Sequence, residues 1–405
     1  MVVWHVTQML EGGAGQYCLR LSTALPEVRV VSQLFLPVGG GGEGVNRLTR
    51  ASSACNRLAG RALRGFSHRV ATAPFHTVFG PEVYRTLHDS VPGDIYHLHG
   101  LLGWIGVRGL RALIPRGALV FWTLHDIWPL SGGCVVYQGC EQFRAGCRGC
   151  PILHAPWKGL ACWEWQAKRQ LIREFGIRLI ANSAWTADRI RDAGLAAPEG
   201  VPIVHPIIED AYFNEIPTGL REELGIPDDR MVLGLGARSL NDEFKGIPRF
   251  LAELARFPDL CQRVTVLLFG DGPIPKPETL DVRLLGRITD CHELARLYRA
   301  LDVFVSPSRM ETFGMTLAES QAVGTPVAAF DVGGVRDATH PSASVLVPDQ
   351  DYRTLVEQIA CLGETCEIAA TRSQLLRSWA RTRFHRTIVA QIQAEIYRSA
   401  SSNGP

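Results

Sequence analysis

Lysine is nearly missing from this chain. Lys158, Lys168, Lys245 and Lys276 are the only four among 42 basic residues. The rest of the positive charge is arginine, which reads as genomic base usage more than as chemistry. The formal net charge is only +2, and no basic stripe stands out, which argues against a nucleic-acid binder. No apolar run approaches the roughly 20 residues that cross a bilayer. The first ten residues lack a basic start and read as a strand, not as the apolar core of a secretory signal. A cytoplasmic protein is therefore expected, and its eleven cysteines are expected to be thiols or metal ligands more than disulfides. The first strand is not followed by G-x-G-x-x-G, which counts against a dehydrogenase.

What is present suits two α/β domains. The chain has 405 residues, 46% of them apolar, enough for two ordinary cores. The most informative stretch is 305–337. Residues 303–305 read as a buried strand, followed by a polar turn with Glu311. A helix then opens at Phe313-Gly314, with apolar positions at Met315, Leu317, Ala318, Ala322 and Val323. Gly324 stops it. Residues 326–330 form another strand that leads to Gly333-Gly334. This is half of a doubly wound domain. A helix N-terminus attracts a phosphate through its free N–H groups and dipole. Glu311 and Glu319 would flank that phosphate and accept hydrogen bonds from sugar hydroxyls. Alone, the two glutamates would be more plainly a helix-start residue and a solvated helix residue.

The pattern Glu311-x-Phe313-Gly314-x4-Glu319, then Gly324-Thr-Pro-Val and Gly333-Gly334, closely resembles the signature of the retaining, nucleotide-sugar-dependent glycosyltransferases of family 4. One departure is Asp337, where a Glu is more usual. The resemblance implies a GT-B fold, two Rossmann-like domains facing a central cleft. It implies that Glu311 contacts the donor sugar and Glu319 holds the nucleotide ribose, with Phe313, Gly314 and Met315 on the donor side. It extends to Gly236-Ala-Arg238 followed by Lys245-Gly246, whose two cations would take the charge of the leaving diphosphate. Their plainer reading is two solvated charges. It also extends to residues 282–287, where Arg287 ends a strand that nears the nucleotide base.

In the first half, residues 2–7 read as a strand and 16–24 as a helix, joined by Glu11-Gly12-Gly13-Ala14-Gly15. Such a turn can offer N–H groups to a phosphate, although tight turns need glycine anyway. In the resembled family, the positions of Gly12, Gly13 and Gly15 lie over the donor diphosphate. His99 and His125 follow buried strands at 94–98 and 119–124. Carboxyl ends of strands line the ligand crevice in such sheets. For His99 a hydrogen-bonded structural role is an equal alternative to acceptor binding. Thr123-Leu124-His125-Asp126 resembles the family segment whose His approaches the donor sugar. Asp126 would orient that ring or bind acceptor, and its plainer role is a turn.

Residues 132–151 are the unusual segment. Cys134, Cys140, Cys147 and Cys150 follow C-x5-C-x6-C-x2-C, which suits a tetrahedral structural zinc, with His154 as a replacement ligand. Disulfides and free thiols stay open. A subset of the resembled enzymes, of the exopolysaccharide and colanic-acid type, carries a similar insert. Trp157, Trp163 and Trp165, with Lys158, Lys168 and Arg169, suit either a membrane or acceptor contact or, more simply, a helix packed on the insert.

The expected organisation is an acceptor-binding domain at 1–204, a nucleotide-sugar domain at 205–378, and a helix at 379–397 crossing back, with a tail to 405. The Asn-Gly usual in the family's interdomain segment is absent from 205–213. The expected reaction is retaining transfer of a sugar from a UDP- or GDP-sugar to a hydroxyl of a carbohydrate, glycolipid or small molecule, without a catalytic metal. It would serve polysaccharide or glycolipid assembly at the inner membrane face. The rivals are glycosylation of a small natural product, an epimerase or phosphorylase, and a non-catalytic subunit that binds nucleotide sugar.

Overall fold

The computed structural model describes residues 1–8, 10, 12–35, 45–46, 94–101, 106–135, 139–151, 153, 158–360 and 366–402. The readings placed on the loop at 39–44, most of 46–90, Glu11, His154 and Trp157 lie outside them. The chain divides into two compact units, Met1–Pro206 with Thr387–Pro405, and Ile207–Arg386.

The first unit contains β1 (Val2–Val6), α1 (Gly12–Ala24), β2 (Val31–Phe35), β3 (Val45–Asn46), β4 (Ile95–Leu98), α2 (Val107–Leu113), β5 (Leu119–Leu124), α3 (Lys158–Glu174), β6 (Arg178–Ala181) and α4 (Ala184–Asp192). Its parallel sheet runs β3-β2-β1-β4-β5-β6. β4 is buried throughout, as expected for a parallel strand covered on both faces. A strand expected at 201–204 is only a bridge between Ala181 and Ile203. Pro202 has no N–H to give, so the segment is held by Ala181 N–H to Pro202 O at 2.9 Å and Val204 N–H to Ala181 O at 2.8 Å.

The second unit contains β7 (Met231–Ser239), α5 (Ile247–Leu254), β8 (Val264–Asp271), β9 (Asp281–Gly286), α6 (Cys291–Ala300), β10 (Val303–Ser306), α7 (Met315–Val323), β11 (Val327–Phe330), β12 (Val345–Val347), α8 (Tyr352–Ala360) and α9 (Cys366–Phe384). Its order, β12-β11-β10-β7-β8-β9, is the first unit's order read from the other edge, and both are the doubly wound 3-2-1-4-5-6 arrangement. Strand side chains alternate between two cores. Val232, Leu267, Phe304, Val327 and Ala329 enter one. Leu233, Leu235, Val266, Val303, Val305, Ala328 and Phe330 enter the other. Asp351 caps α8 by accepting from Thr354 N–H at 3.1 Å.

The helix expected at 379–397 is two helices. α9 ends at Phe384 and α10 spans Arg386–Ser402. His385 between them forms a parallel bridge with Ile208, and Ile208 N–H donates to Phe384 O at 2.9 Å. A residue pinned in extended pairing cannot continue a helix. α10 buries Val389, Ala390, Gln393, Ala394, Tyr397 and Ala400, with Tyr397 reaching the first unit's sheet. Among the described residues no helix is long and apolar enough to cross a membrane.

Candidate functional site

In the second unit the geometry is set by two loops that touch. Gly246 has φ +66°, and a Cβ there would lie 2.2 Å from Pro307 O. Arg309 N–H also donates to Phe244 O at 2.8 Å. The close approach brings Lys245 to Glu311, with Nζ 2.6 Å from Oε1. Gly333, at φ +56°, closes the other side: a Cβ would meet Glu311 O at 1.9 Å, and Gly334 N–H donates to that same oxygen at 2.9 Å. Only glycine accepts both the positive φ and this contact. Burial opposes the Lys245 ammonium, but the charge and hydrogen bond of Glu311 outweigh it and raise its pKa.

Glu311 leads into α7, whose Gly314 N-cap (φ 102°) supplies no side chain to the first turn. α7 is buried on every side from Leu317 to Val323, so its low amphipathicity follows from its central place. Glu319 is 5% exposed and is not a solvated residue. Gln321 satisfies its buried amide by donating to Leu317 O and Ala338 O and accepting from His340 N–H and Ser344 Oγ. Met315 is half-buried in the first turn. Phe313 lies in the core, its ring against Phe384 at 5.5 Å, so only its backbone can serve a ligand. Arg238 is exposed near the end of β7, which runs four residues beyond the strand expected at 231–235 and carries an irregularity between Gly236 and Ser239. Arg287 lies 4.0 Å from Asp271 and is half-exposed. The arrangement suits an anion: two cations and an uncapped helix start, with carboxylates on the same elements.

In the first unit the glycine run is not a loop before a helix. α1 begins at Gly12 itself, so Gly13 and Gly15 belong to its first turns. The N–H groups of a first turn have no intrahelical partner, so glycine's low propensity is tolerated there. Gly12 and Gly13 are exposed and Gly15 is buried.

The carboxyl ends of β1, β4 and β5 gather four histidines. His5 Nδ1 is 3.0 Å from His99 Nε2, and His99 Nδ1 is 3.2 Å from His125 Nε2. His97 pairs with Tyr397 Oη at 2.5 Å and Thr123 Oγ1 at 2.6 Å. His5, His97 and His99 are buried and His125 half-buried. Desolvation lowers all four pKa values, those of His5 and His125 to about 3, so the rings are neutral. Asp126 does not orient His125. It accepts from Trp128 N–H at 2.8 Å as a turn residue, and burial, against that bond and the Lys168 charge, pushes its pKa up to about 6.

The insert packs on α3. Trp165 donates to Phe143 O at 2.6 Å, and Arg169 stacks over Trp165 at 4.6 Å. Lys168 is fully buried, donating to Trp128 O at 2.7 Å with Glu164 3.6 Å away. This is the packing role, and Lys168 cannot meet a membrane. The four thiols are unbridged. Burial first, with neighbouring thiols contributing, raises the pKa of Cys134 to about 12, and burial raises that of Cys147 to about 11. Among the described residues the only set of three potential ligands with their atoms within 4.8 Å of one another is His5, Cys18 and His99.

Sequence reading did not single out His5, His97, Cys18 or Tyr397. His5 and His97 are register partners on adjacent strands, a signal that needs the strand order. Tyr397 arrives from the far end of the chain.

Residues 231–364 match the family described as glycosyl transferases group 1. A D-inositol 3-phosphate glycosyltransferase of Saccharomonospora viridis is 32% identical over 407 residues, covering 91% of this chain and 88% of the relative. A putative colanic acid biosynthesis glycosyl transferase, WcaC of Escherichia coli, is 25% identical over 372 residues, covering 86% and 88%. Among solved structures, Anabaena Alr3699/HepE in complex with UDP and glucose aligns with a TM-score of 0.68 at 18% identity, covering 98% of this chain and 100% of the other. Sucrose-phosphate synthase of Thermosynechococcus elongatus aligns with a TM-score of 0.67 at 18% identity, covering all of both chains.

Proposed function

This chain belongs to the group 1 glycosyltransferases and has their GT-B fold, and from that premise we propose that it transfers a sugar, with retention at the anomeric carbon, from a UDP- or GDP-sugar to a hydroxyl acceptor. The observation that carries this is the Lys245–Glu311 pair at 2.6 Å, beside the uncapped start of α7. An ammonium has three donors. Lys245 can hold Glu311 with one and reach a phosphate oxygen with another, while Arg238 and the α7 N–H groups take further phosphate charge. Glu311 then accepts from sugar hydroxyls and Glu319 from the ribose.

In the reaction the bond from C1 to the diphosphate oxygen breaks, and the acceptor oxygen bonds C1 on the same face. The departing phosphate takes the acceptor's proton, so no protein base is required. Cations already in place stabilise the charge that develops on the diphosphate. Arg287, Phe313, Gly314 and Met315 shape the donor side. His125 and His99, with Gly12, Gly13 and Gly15, serve the sugar substrates from the first unit. A uridine donor is favoured by the UDP complex of the structural neighbour. An acceptor in surface polysaccharide assembly is favoured by the colanic-acid relative. Structural zinc on Cys134, Cys140, Cys147 and Cys150 stands as a further proposal: one zinc per chain that is lost in Cys147→Ser supports it, and four titratable thiols in the folded, metal-free protein refute it.

The test incubates purified protein with a panel of UDP-, GDP- and ADP-sugars and crude acceptor extract, and follows nucleotide release. Release from one donor class, abolished by Glu311→Ala with the fold intact, is the expected result. Binding of nucleotide sugar without any release would make the chain a non-catalytic subunit.

A further inference from the structure

Three segments of the first unit bring two imidazoles and a thiol together. His5 lies on β1, His99 follows β4, and Cys18 stands on α1. One nitrogen of each ring and the sulfur all lie within 4.8 Å of one another. The two rings are closest at His5 Nδ1 and His99 Nε2, 3.0 Å apart. Each of the three residues is at most 2% exposed, and Cys18 is unbridged. The plain alternative is a neutral polar cluster packed in the core. That alternative leaves His5 Nε2 buried without a hydrogen-bond partner. Native interiors rarely leave such an atom unsatisfied, and a bound ion is one of the few things that explain it.

Two imidazole nitrogens and one thiolate suit zinc and copper(I), the ions that accept both ligand types. Metal–nitrogen and metal–sulfur bonds of about 2.0–2.3 Å set the ligand atoms roughly 3.3–3.8 Å apart around such an ion. The cluster therefore has to contract by no more than about an ångström to hold one. As the metal–sulfur bond forms, the Cys18 thiol proton leaves to solvent, and each ring gives a lone pair. Whichever nitrogen of His99 binds, the other keeps a histidine neighbour: His125 Nε2 at 3.2 Å from Nδ1, or His5 Nδ1 at 3.0 Å from Nε2. Metal-bound histidines are held in place by such outer contacts. With a single thiolate, copper(I) makes a neutral site, whereas zinc keeps one positive charge, which burial opposes.

We propose that His5, Cys18 and His99 form a buried metal site for one zinc or copper(I) ion, which ties α1 to β1 and β4. The site shares no ligand with the cysteine insert. It also stands apart from the proposed sugar transfer, since no step of that reaction uses it.

The experiment strips the reduced full chain with a chelator, reloads it with zinc or with copper(I), and measures metal per chain after gel filtration. Cys18→Ala and His5→Gln should each take up one equivalent less than the parent. Uptake of either ion supports the site, and preference for copper(I) supports its neutral form. Cobalt(II) in place of zinc should give a near-ultraviolet thiolate-to-metal band that weakens in Cys18→Ala, and does so in the Cys147→Ser background as well. Metal should raise the Tm of the Cys147→Ser protein and leave that of Cys18→Ala/Cys147→Ser unmoved. Equal metal content in the parent and both variants overturns the proposal. So does a folded parent that takes up neither ion. Loss of the metal in Cys147→Ser but not in Cys18→Ala assigns it to the insert and overturns the proposal too. If Cys18→Ala does not fold, His5→Gln and the folded parent decide by the same readings.

Discussion

The two units share a strand order and use it differently. At the carboxyl ends of its strands the second unit holds ions: Lys245 and Glu311 with their side chains 34% and 18% exposed, an exposed Arg238, and a helix start without a side-chain cap. The first unit holds neutral rings in the same place, buried and hydrogen-bonded to one another. One topology therefore carries two electrostatic designs, and function follows the residues grafted on the fold. The ionic side suits a charged leaving group. The neutral side suits hydroxyls, which need aimed donors and acceptors more than charge.

The sharpest way to break this comparison is to remove a group from each side. Glu311→Ala should lower nucleotide release about a thousandfold, as loss of a preorganised charged group does, whereas His125→Ala should lower it only about tenfold, the scale of one neutral hydrogen bond. Equal losses would mean that the ionic and neutral sides matter alike.

Next comes the first unit's buried ion pair. Lys168→Met should destabilise by about 3–5 kcal/mol in urea unfolding, because Glu164 is left buried and unpaired. Most of that should return in the Glu164→Leu/Lys168→Met double variant. By contrast Arg353→Ala, which breaks an exposed pair with Glu357 in the second unit, should change stability by less than about 0.5 kcal/mol.

Gly333→Ala tests the loop that holds Glu311. Its Cβ would strike Glu311 O at a positive φ, so a loss of about 1–3 kcal/mol and weaker donor binding are expected by thermal melting and titration with nucleotide sugar.

The pH response should separate the units. The folded pKa of His5 is lowered from 6.5 to about 3, so below pH 6.5 the unfolded chain binds more protons and stability falls with acidification. At pH 5 the loss is on the order of 2 kcal/mol for this residue, with His97 and His99 acting in the same direction. Asp126 acts oppositely: its raised pKa favours folding at low pH and is a smaller term set against several histidines. Hydrogen exchange at pH 7.5 and pH 5 should show the first unit loosening before the second. Uniform behaviour would remove the distinction.

How much was legible follows from the kind of signal. The α7 stretch was readable because its chemistry is local: Glu311, Gly314, Glu319 and Gly324 sit at fixed spacings along one turn and one helix. The burial of Glu319 was not, because a helix covered on all sides has no polar stripe to mark it, and its acidic residue looks solvated. The α1 start was misplaced because glycines mark a loop and a helix's first turn alike. The break at His385 was hidden because it depends on pairing with Ile208, 177 positions earlier.

By itself the sequence determined the α/β class and the family resemblance, and it put forward the donor-side candidates, since these rest on short-range periodicity and motif spacing. Only the tertiary structure decided which histidines meet. His5, His99 and His125 are 94 and 26 positions apart in turn, and nothing local relates them until the parallel sheet sets β1, β4 and β5 side by side. The Lys245–Glu311 contact has the same origin: 66 positions separate the partners, and two glycines allow their loops to close on each other.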